Sequence, residues 1–139
     1  MKLDITRVDV WVVGIEDRPG GLTEKLRGLT QAGANLEFLL ARRTPEQPGK
    51  AVVFAAPIKG AKQMKAAQEL GFHKSNSLHG IRVMAPDKPG LSLALTQALA
   101  DAGINLRGFS GMAVGRKAVF YIAFDTPADV AKAIRCLNR

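Results

Sequence analysis

Two turns of the same type could bind the carboxylate of a small molecule. The first is EDRPGGL at residues 16–22, and the second is PDKPGLS at residues 86–92. Each places an aspartate, a proline and a glycine just before a predicted helix, where unpaired N–H groups and the helix dipole attract an anion. The backbone amides of Gly20–Leu22 and Gly90–Ser92 are therefore candidates for binding the α-carboxylate of an amino acid.

The ammonium group of such a ligand would need an acceptor close to these turns. The carboxylates of Asp17 and Asp87 and the amide oxygens of Asn35 and Asn105 are the nearest candidates. The same residue types also suit helix starts and turns that bind no ligand. The residues alone leave both interpretations open.

The two turns belong to an internal repeat with an offset of 70 residues. QAGANL at 31–36 reappears as DAGINL at 101–106. Farther along the offset falls to 67, since KAVVFAA at 50–56 matches KAVFYIA at 117–123. The three-residue difference falls in a strand-to-strand turn, where changes of length are well tolerated. The pattern therefore indicates a duplicated unit.

Each copy has the hydrophobic pattern of a βαββαβ unit. Strands are predicted at 8–15, 35–43, 51–56 and 72–77 in the first copy, and at 78–85, 105–114 and 117–124 in the second. Helices are predicted after each Pro–Gly turn, with the proline in the first helical position, and at 59–70 and 127–137. We predict an α+β fold of two ferredoxin-like repeats, residues 8–77 and 78–139, each an antiparallel sheet with helices on one face.

The second copy stops after its second predicted helix and lacks a fourth strand. Residues 1–9 have the same position in the repeat as residues 71–79, which include the fourth strand of the first copy. One hypothesis is that residues 1–7 supply the missing strand, in the same chain or in a dimer mate. The alternative is that they extend the first strand of the first copy.

Both copies resemble the first half of an ACT domain. The resemblance lies in VWVVGIEDRPGGLTEKLRGLTQAGANLEFL and IRVMAPDKPGLSLALTQALADAGINLRGF, which place a Pro–Gly turn between strand and helix and an AGxN phrase before the next strand. It covers nearly the whole chain and implies a stand-alone tandem ACT protein with no catalytic domain. It further implies a regulatory role, with an amino acid bound where the turn of one domain faces the second strand of its neighbour.

The ligand-binding residues predicted in this way are Asp17, Gly20, Gly21, Leu22, Asn35, Leu36, Asp87, Gly90, Leu91, Ser92, Asn105 and Leu106. The two copies differ, because the second carries Ser92 and Ser110 where the first is apolar. We therefore expect the polar pocket in the second copy and a mostly structural role for the first.

Composition and motifs make other functions less favourable. The net charge is +8, but the basic residues are scattered, and core packing explains the aromatic residues of RKAVFYIAF better than RNA binding does. His73 and His79 are too few for a metal site, and no nucleophile or phosphate-loop motif occurs. We expect no enzymatic activity, no metal, no cofactor, no nucleic acid and no membrane span.

The expected partners are an amino acid, a second copy of the chain and an enzyme under its control. A homodimer is favoured, because two small sheets with exposed edges promote side-by-side pairing. The alternative is a ligand-free interaction module that regulates a partner enzyme. A single cysteine, Cys136, and the lack of a signal peptide predict a cytoplasmic protein.

Overall fold

The computed structural model describes residues 2–138, without the side chains of residues 76–78. Its elements are β1 Asp4–Glu16, α1 Gly21–Gln31, β2 Phe38–Arg43, β3 Lys50–Ala56, α2 Gly60–Glu69, β4 His73–Pro86, α3 Leu91–Asp101, β5 Gly108–Val114, β6 Lys117–Phe124 and α4 Pro127–Leu137. The order confirms the predicted α+β fold of two ferredoxin-like βαββαβ repeats. Among the described residues, no helix is long and apolar enough to cross a bilayer.

Contacts divide the chain into two compact units. Repeat 1 is Asp9–Ser75, and repeat 2 is the chain from Asn76 onward together with the chain up to Val8. Strands β1 and β4 therefore each begin in one unit and end in the other. The predicted division at residues 8–77 and 78–139 remains a prediction.

Repeat 1 is an antiparallel sheet in which β3 pairs with β2 on one side and β1 on the other. Alternate residues of these strands face the helices, as the two-residue period of a strand requires. The core consists of Trp11, Val13, Leu29, Val53, Ala55, Ile58, Ala67 and Phe72. It anchors α1 through Leu29 and α2 through Ala67, so that the start of α1 is held beside the end of β1.

Repeat 2 has the same layout, with β6 between β4 and β5. The buried residues of β6 are Ala118, Phe120, Ile122 and Phe124. The start of β1 also belongs to this unit, since Leu3 and Ile5 pack against its core. Arg82 in β4 donates from Nη2 to the Thr6 hydroxyl at 3.4 Å.

Beyond shifts of one residue, the element boundaries differ from prediction in three places. Strand β1 begins at Asp4, four residues earlier than predicted. Strands β2 and β5 begin three residues later than predicted, because the segments after Gly33 and Gly103 form connections before strand pairing begins. The predicted strands 72–77 and 78–85 form one strand, β4. Helix α4 has the predicted bounds, and Thr126 caps it by accepting a hydrogen bond from the Asp129 N–H at 3.1 Å.

Candidate functional site

The two Pro–Gly turns have almost the same backbone conformation. Gly20 has φ 83° and Gly90 has φ 82°, both in the left-handed region that favours glycine. In the first turn, the Gly21 N–H donates to the Arg18 carbonyl at 3.1 Å. This is the pattern of a type II turn, with proline second and a positive-φ glycine third. The prediction that the prolines occupy the first helical position is wrong, because α1 and α3 begin after the glycines.

Replacing Gly90 by alanine should lower the free energy of unfolding by about 1–2 kcal/mol, because an L-residue is strained in the left-handed region. Apart from its chain neighbours, no described heavy atom lies within 4 Å of the position that a Cβ would take. The lower free energy of unfolding therefore comes from backbone strain rather than from a steric clash. Gly90→Asn should lower the free energy of unfolding by less than Gly90→Ala does, since asparagine tolerates the left-handed conformation. Urea unfolding of both variants checks this, and equal losses would contradict it.

The helix starts offer fewer free amides than predicted. Neither α1 nor α3 has a side-chain cap among the described residues, so Leu22 and Ser92 present N–H groups without a partner inside the helix. The N–H of Gly21 is already used by the turn. Gly21 contributes through its lack of a side chain. A Cβ at this position would lie only 2.8 Å from the Glu16 carbonyl oxygen, so glycine allows the start of α1 to lie this close to the end of β1.

The predicted acceptors lie in different surroundings. The Asp17 carboxylate accepts a hydrogen bond from the Arg43 Nε at 2.8 Å. The N–H of Asp87 donates to the Arg116 carbonyl at 2.8 Å, which fixes the second turn to the β5–β6 hairpin. Asn35 and Asn105 are exposed in the connections before β2 and β5.

The two predicted leucines that follow these asparagines contribute to packing. Leu36 packs against the core of repeat 1, and Leu106 packs against the core of repeat 2. Both are half-buried. Their participation in ligand binding remains a prediction, as does that of the asparagines.

A pocket of about 450 Å³ lies beside the Pro–Gly turn of repeat 1. Small residues, Gly14, Gly21 and Ala51, leave room for it. Its polar lining consists of Glu16, Arg18, Glu24, Lys25, Gln47 and Lys50. Of the residues predicted to bind a ligand, Gly21 is the one that lines this pocket. Its volume is within the range of small-molecule sites.

Ion pairs organise most of the charged groups around the pocket. Arg18 donates from Nη2 to both carboxylate oxygens of Glu24 at 2.9 Å, and the Lys50 ammonium pairs with Glu16. Lys25 is different, because its half-buried ammonium donates to the Leu70 carbonyl at 2.6 Å rather than to a carboxylate. The pocket therefore combines carboxylate acceptors with a cation that forms no ion pair with any carboxylate in the described part of the chain.

The hydrogen bond and charge of Arg18 lower the pKa of Glu24 below its ordinary value, and Lys25 and Arg27 lower it slightly further. A lowered folded-state pKa means that this interaction stabilises the fold above the ordinary pKa and is lost as the pH falls through the folded value. Arg18→Ala should raise the Glu24 pKa towards normal in an NMR titration, whereas Arg27→Ala should change it less. Equal shifts would contradict the assignment.

The equivalent region of repeat 2 is filled by core side chains. Gly21 corresponds to Leu91 and Lys25 to Leu95, which are 3% and 0% exposed. Glu24 corresponds to Ala94. Ser92 and Ser110, which suggested a polar pocket here, are both exposed. The observed pocket lies in repeat 1, and the polar pocket expected in repeat 2 remains a prediction.

Sequence reasoning missed the charged lining of this pocket. A signal was available, because the first copy has Glu16, Glu24 and Lys25 where the second has proline, alanine and leucine. Of these counterparts Leu95 is a core residue, so the lysine at position 25 marks a place where the two copies cannot be packed alike, since an unpaired buried charge is costly.

Comparison with known proteins supports the fold and one family assignment. The family model of the ACT domain matches residues 79–139. The matched residues lie within repeat 2. Repeat 1 shares the βαββα order of its first five elements, its turn conformation and its AGxN phrase with repeat 2. The chain has no sequence match among curated proteins.

Solved structures resemble the chain over nearly its whole length. Protein BT0572 from Bacteroides thetaiotaomicron has a TM-score of 0.76 at 18% identity, covering 98% of this chain and 88% of that one. The regulatory subunit of aspartate kinase from Thermus thermophilus has a TM-score of 0.68 at 14% identity, and the match covers 99% of this chain and 96% of that one. Aspartate kinase from Clostridium acetobutylicum has a TM-score of 0.60 at 13% identity, and the match covers 96% of this chain and 33% of that one. At these identities the likeness is one of fold.

Proposed function

We propose that this chain is a non-catalytic regulatory protein that binds an amino acid beside the Pro–Gly turn of repeat 1. The observation that supports it most is the 450 Å³ pocket between β1, α1 and the β2–β3 hairpin. The pocket has charges of both signs, which suit the ammonium and carboxylate groups of an amino acid. The ACT assignment of repeat 2 agrees with a regulatory role.

The α-carboxylate of the ligand would bind near the start of α1. The Leu22 N–H is uncapped by any described side chain, and the half-buried Lys25 ammonium follows one turn later. The ammonium would bind Glu16 or Glu24, because a carboxylate already in an ion pair retains lone pairs for further donors. This assignment replaces the predicted acceptor Asp17, which does not line the pocket.

The regulated partner is proposed to be an enzyme. A similar fold forms the regulatory subunit of the Thermus thermophilus kinase and about a third of the Clostridium acetobutylicum kinase. The amino acid would act by population shift, favouring the conformation or assembly that binds it better. We further propose a cytoplasmic homodimer, in keeping with the free Cys136.

A thermal melt against each of the twenty amino acids tests this function. At about a hundred times its dissociation constant, a ligand adds roughly 2.7 kcal/mol to the stability. The midpoint should then rise by about 8–11 °C for a chain of this length. A selective rise with one amino acid, or with a related group, is the expected result. No rise with any of them would contradict ligand binding.

A ligand-free interaction module is the alternative function, and strand β5 favours it. This strand, GFSGMAV, is exposed along its whole length and carries no charge. Its side chains include Met112, 66% exposed, and Val114, 61% exposed. Uncharged edges of this kind promote pairing with another chain. Flat melts together with loss of self-association in Met112→Lys would support this alternative.

A further inference from the structure

We propose that repeat 1 holds the one amino-acid site of the chain and that this site selects an acidic amino acid, such as aspartate or glutamate. We also propose that the hairpin loop of residues 44–49 completes the site through Gln47. This inference rests on the proposed function and specifies its ligand class, its location and its specificity residue.

The charge of the lining selects the ligand class. Three cations and two carboxylates line the pocket, a net charge of +1. Arg18 and Lys50 are each paired with a glutamate, which leaves Lys25 as the lining cation that has no carboxylate partner among residues 2–138 as described. A neutral zwitterion leaves this charge uncompensated, and a basic amino acid adds to it. An amino acid with a second carboxylate neutralises it.

The hairpin loop places Gln47 on the edge of the pocket. The Gln47 N–H donates to Thr44 at 2.9 Å, and the Lys50 N–H donates to Gln47 at 3.1 Å. The Gly49 carbonyl accepts from the Asp17 N–H at 2.9 Å, which ties the loop to the Pro–Gly turn. These bonds fix the backbone of the loop, and Gln47 lines the pocket, where its side-chain amide could donate to a ligand carboxylate next to Lys50.

Repeat 2 has lysines at the positions of Arg18 and Lys50 but lacks the counterparts of Gly21, Lys25 and Gln47. Its hairpin has two residues, Gly115 and Arg116, between β5 and β6, so nothing corresponds to Gln47. The buried side chains of Leu91 and Leu95 occupy the positions of Gly21 and Lys25. One ligand per chain is therefore expected, although the sequence contains two Pro–Gly turns.

Isothermal titration with L-aspartate, L-glutamate, L-asparagine and L-glutamine tests the inference on the full chain. We expect an acid to bind at least about tenfold more tightly than its amide, with one site per chain. Lys25→Met should weaken acid binding by roughly 10–100-fold, as for loss of a charge-assisted hydrogen bond. Gln47→Glu should weaken it through repulsion, whereas Glu46→Gln, a charge change in the same loop, should not.

The outcomes separate this inference from the proposed function. Equal binding of an acid and its amide, two sites per chain, or equal effects of the Gln47 and Glu46 variants would overturn the inference. Binding of a neutral or basic amino acid alone would overturn it too, while leaving the proposed function in place. If none of the twenty amino acids binds, the proposed function itself fails.

Discussion

Removing residues 2–7 is expected to lower the free energy of unfolding by about 2–4 kcal/mol. The reason is that Leu3 and Ile5 pack half-buried against the core of repeat 2. The hydrogen bond from Arg82 to the Thr6 hydroxyl is lost as well. We propose that this segment is the fourth strand of repeat 2, supplied by the same chain.

Hydrogen exchange measured strand by strand checks this expectation. Amides of β4 after Gly80 and of β6 should exchange faster in the truncated chain, whereas β3, in repeat 1, should keep its protection. Asp4→Asn is the control, since this side chain is exposed on the same strand and should have little effect. Unchanged protection of β4 and β6 after truncation would show that the segment only extends the first strand of repeat 1.

Gly21→Leu is expected to abolish ligand binding, weakening it by more than about 100-fold. The substitution introduces the residue that repeat 2 carries at this position, Leu91. A Cβ at Gly21 would lie 2.8 Å from the Glu16 carbonyl oxygen, so the backbone must shift. The rest of the side chain would extend into the pocket and exclude the ligand. Titration with the amino acid found in the melts measures the loss.

Thr23→Leu is the matched control for this substitution. It adds a leucine to the same turn of α1 at an exposed position that does not line the pocket. The affinity of Thr23→Leu for the amino acid should remain within about twofold of that of the unsubstituted chain. Both variants must also show the circular dichroism spectrum of a folded chain. If Gly21→Leu binds as tightly as the control, the ligand is not in this pocket.

Most of the fold could be predicted because local signals and the repeat agree with each other. Helix α4 is the clearest case, since Thr126 and Pro127 are strong start signals and the structure places the helix where they predict it. The continuity of β4 could not be predicted. The repeat pattern divides residues 72–85 into two strands that belong to different copies. The structure shows that the chain does not turn between them, because His73–Pro86 is one strand.

The candidate site was predicted less well. The turns at Gly20 and Gly90 were identified from sequence, and their left-handed conformation is the feature that glycine supplies. The pocket was not, because it depends on which side chains the fold buries. Ser92 is polar but exposed, whereas the replacement of Lys25 by Leu95 changes a pocket wall into core. Polarity alone does not distinguish these two cases.

NMR titration of the labelled chain with the amino acid that stabilises it tests the central claim most directly. We predict large chemical-shift changes at Gly21, Lys25 and Gln47. The changes at Leu91 and Leu95 should be small. Changes centred on Gly90 and Leu91 instead, or spread evenly along the chain, would contradict a binding site in repeat 1.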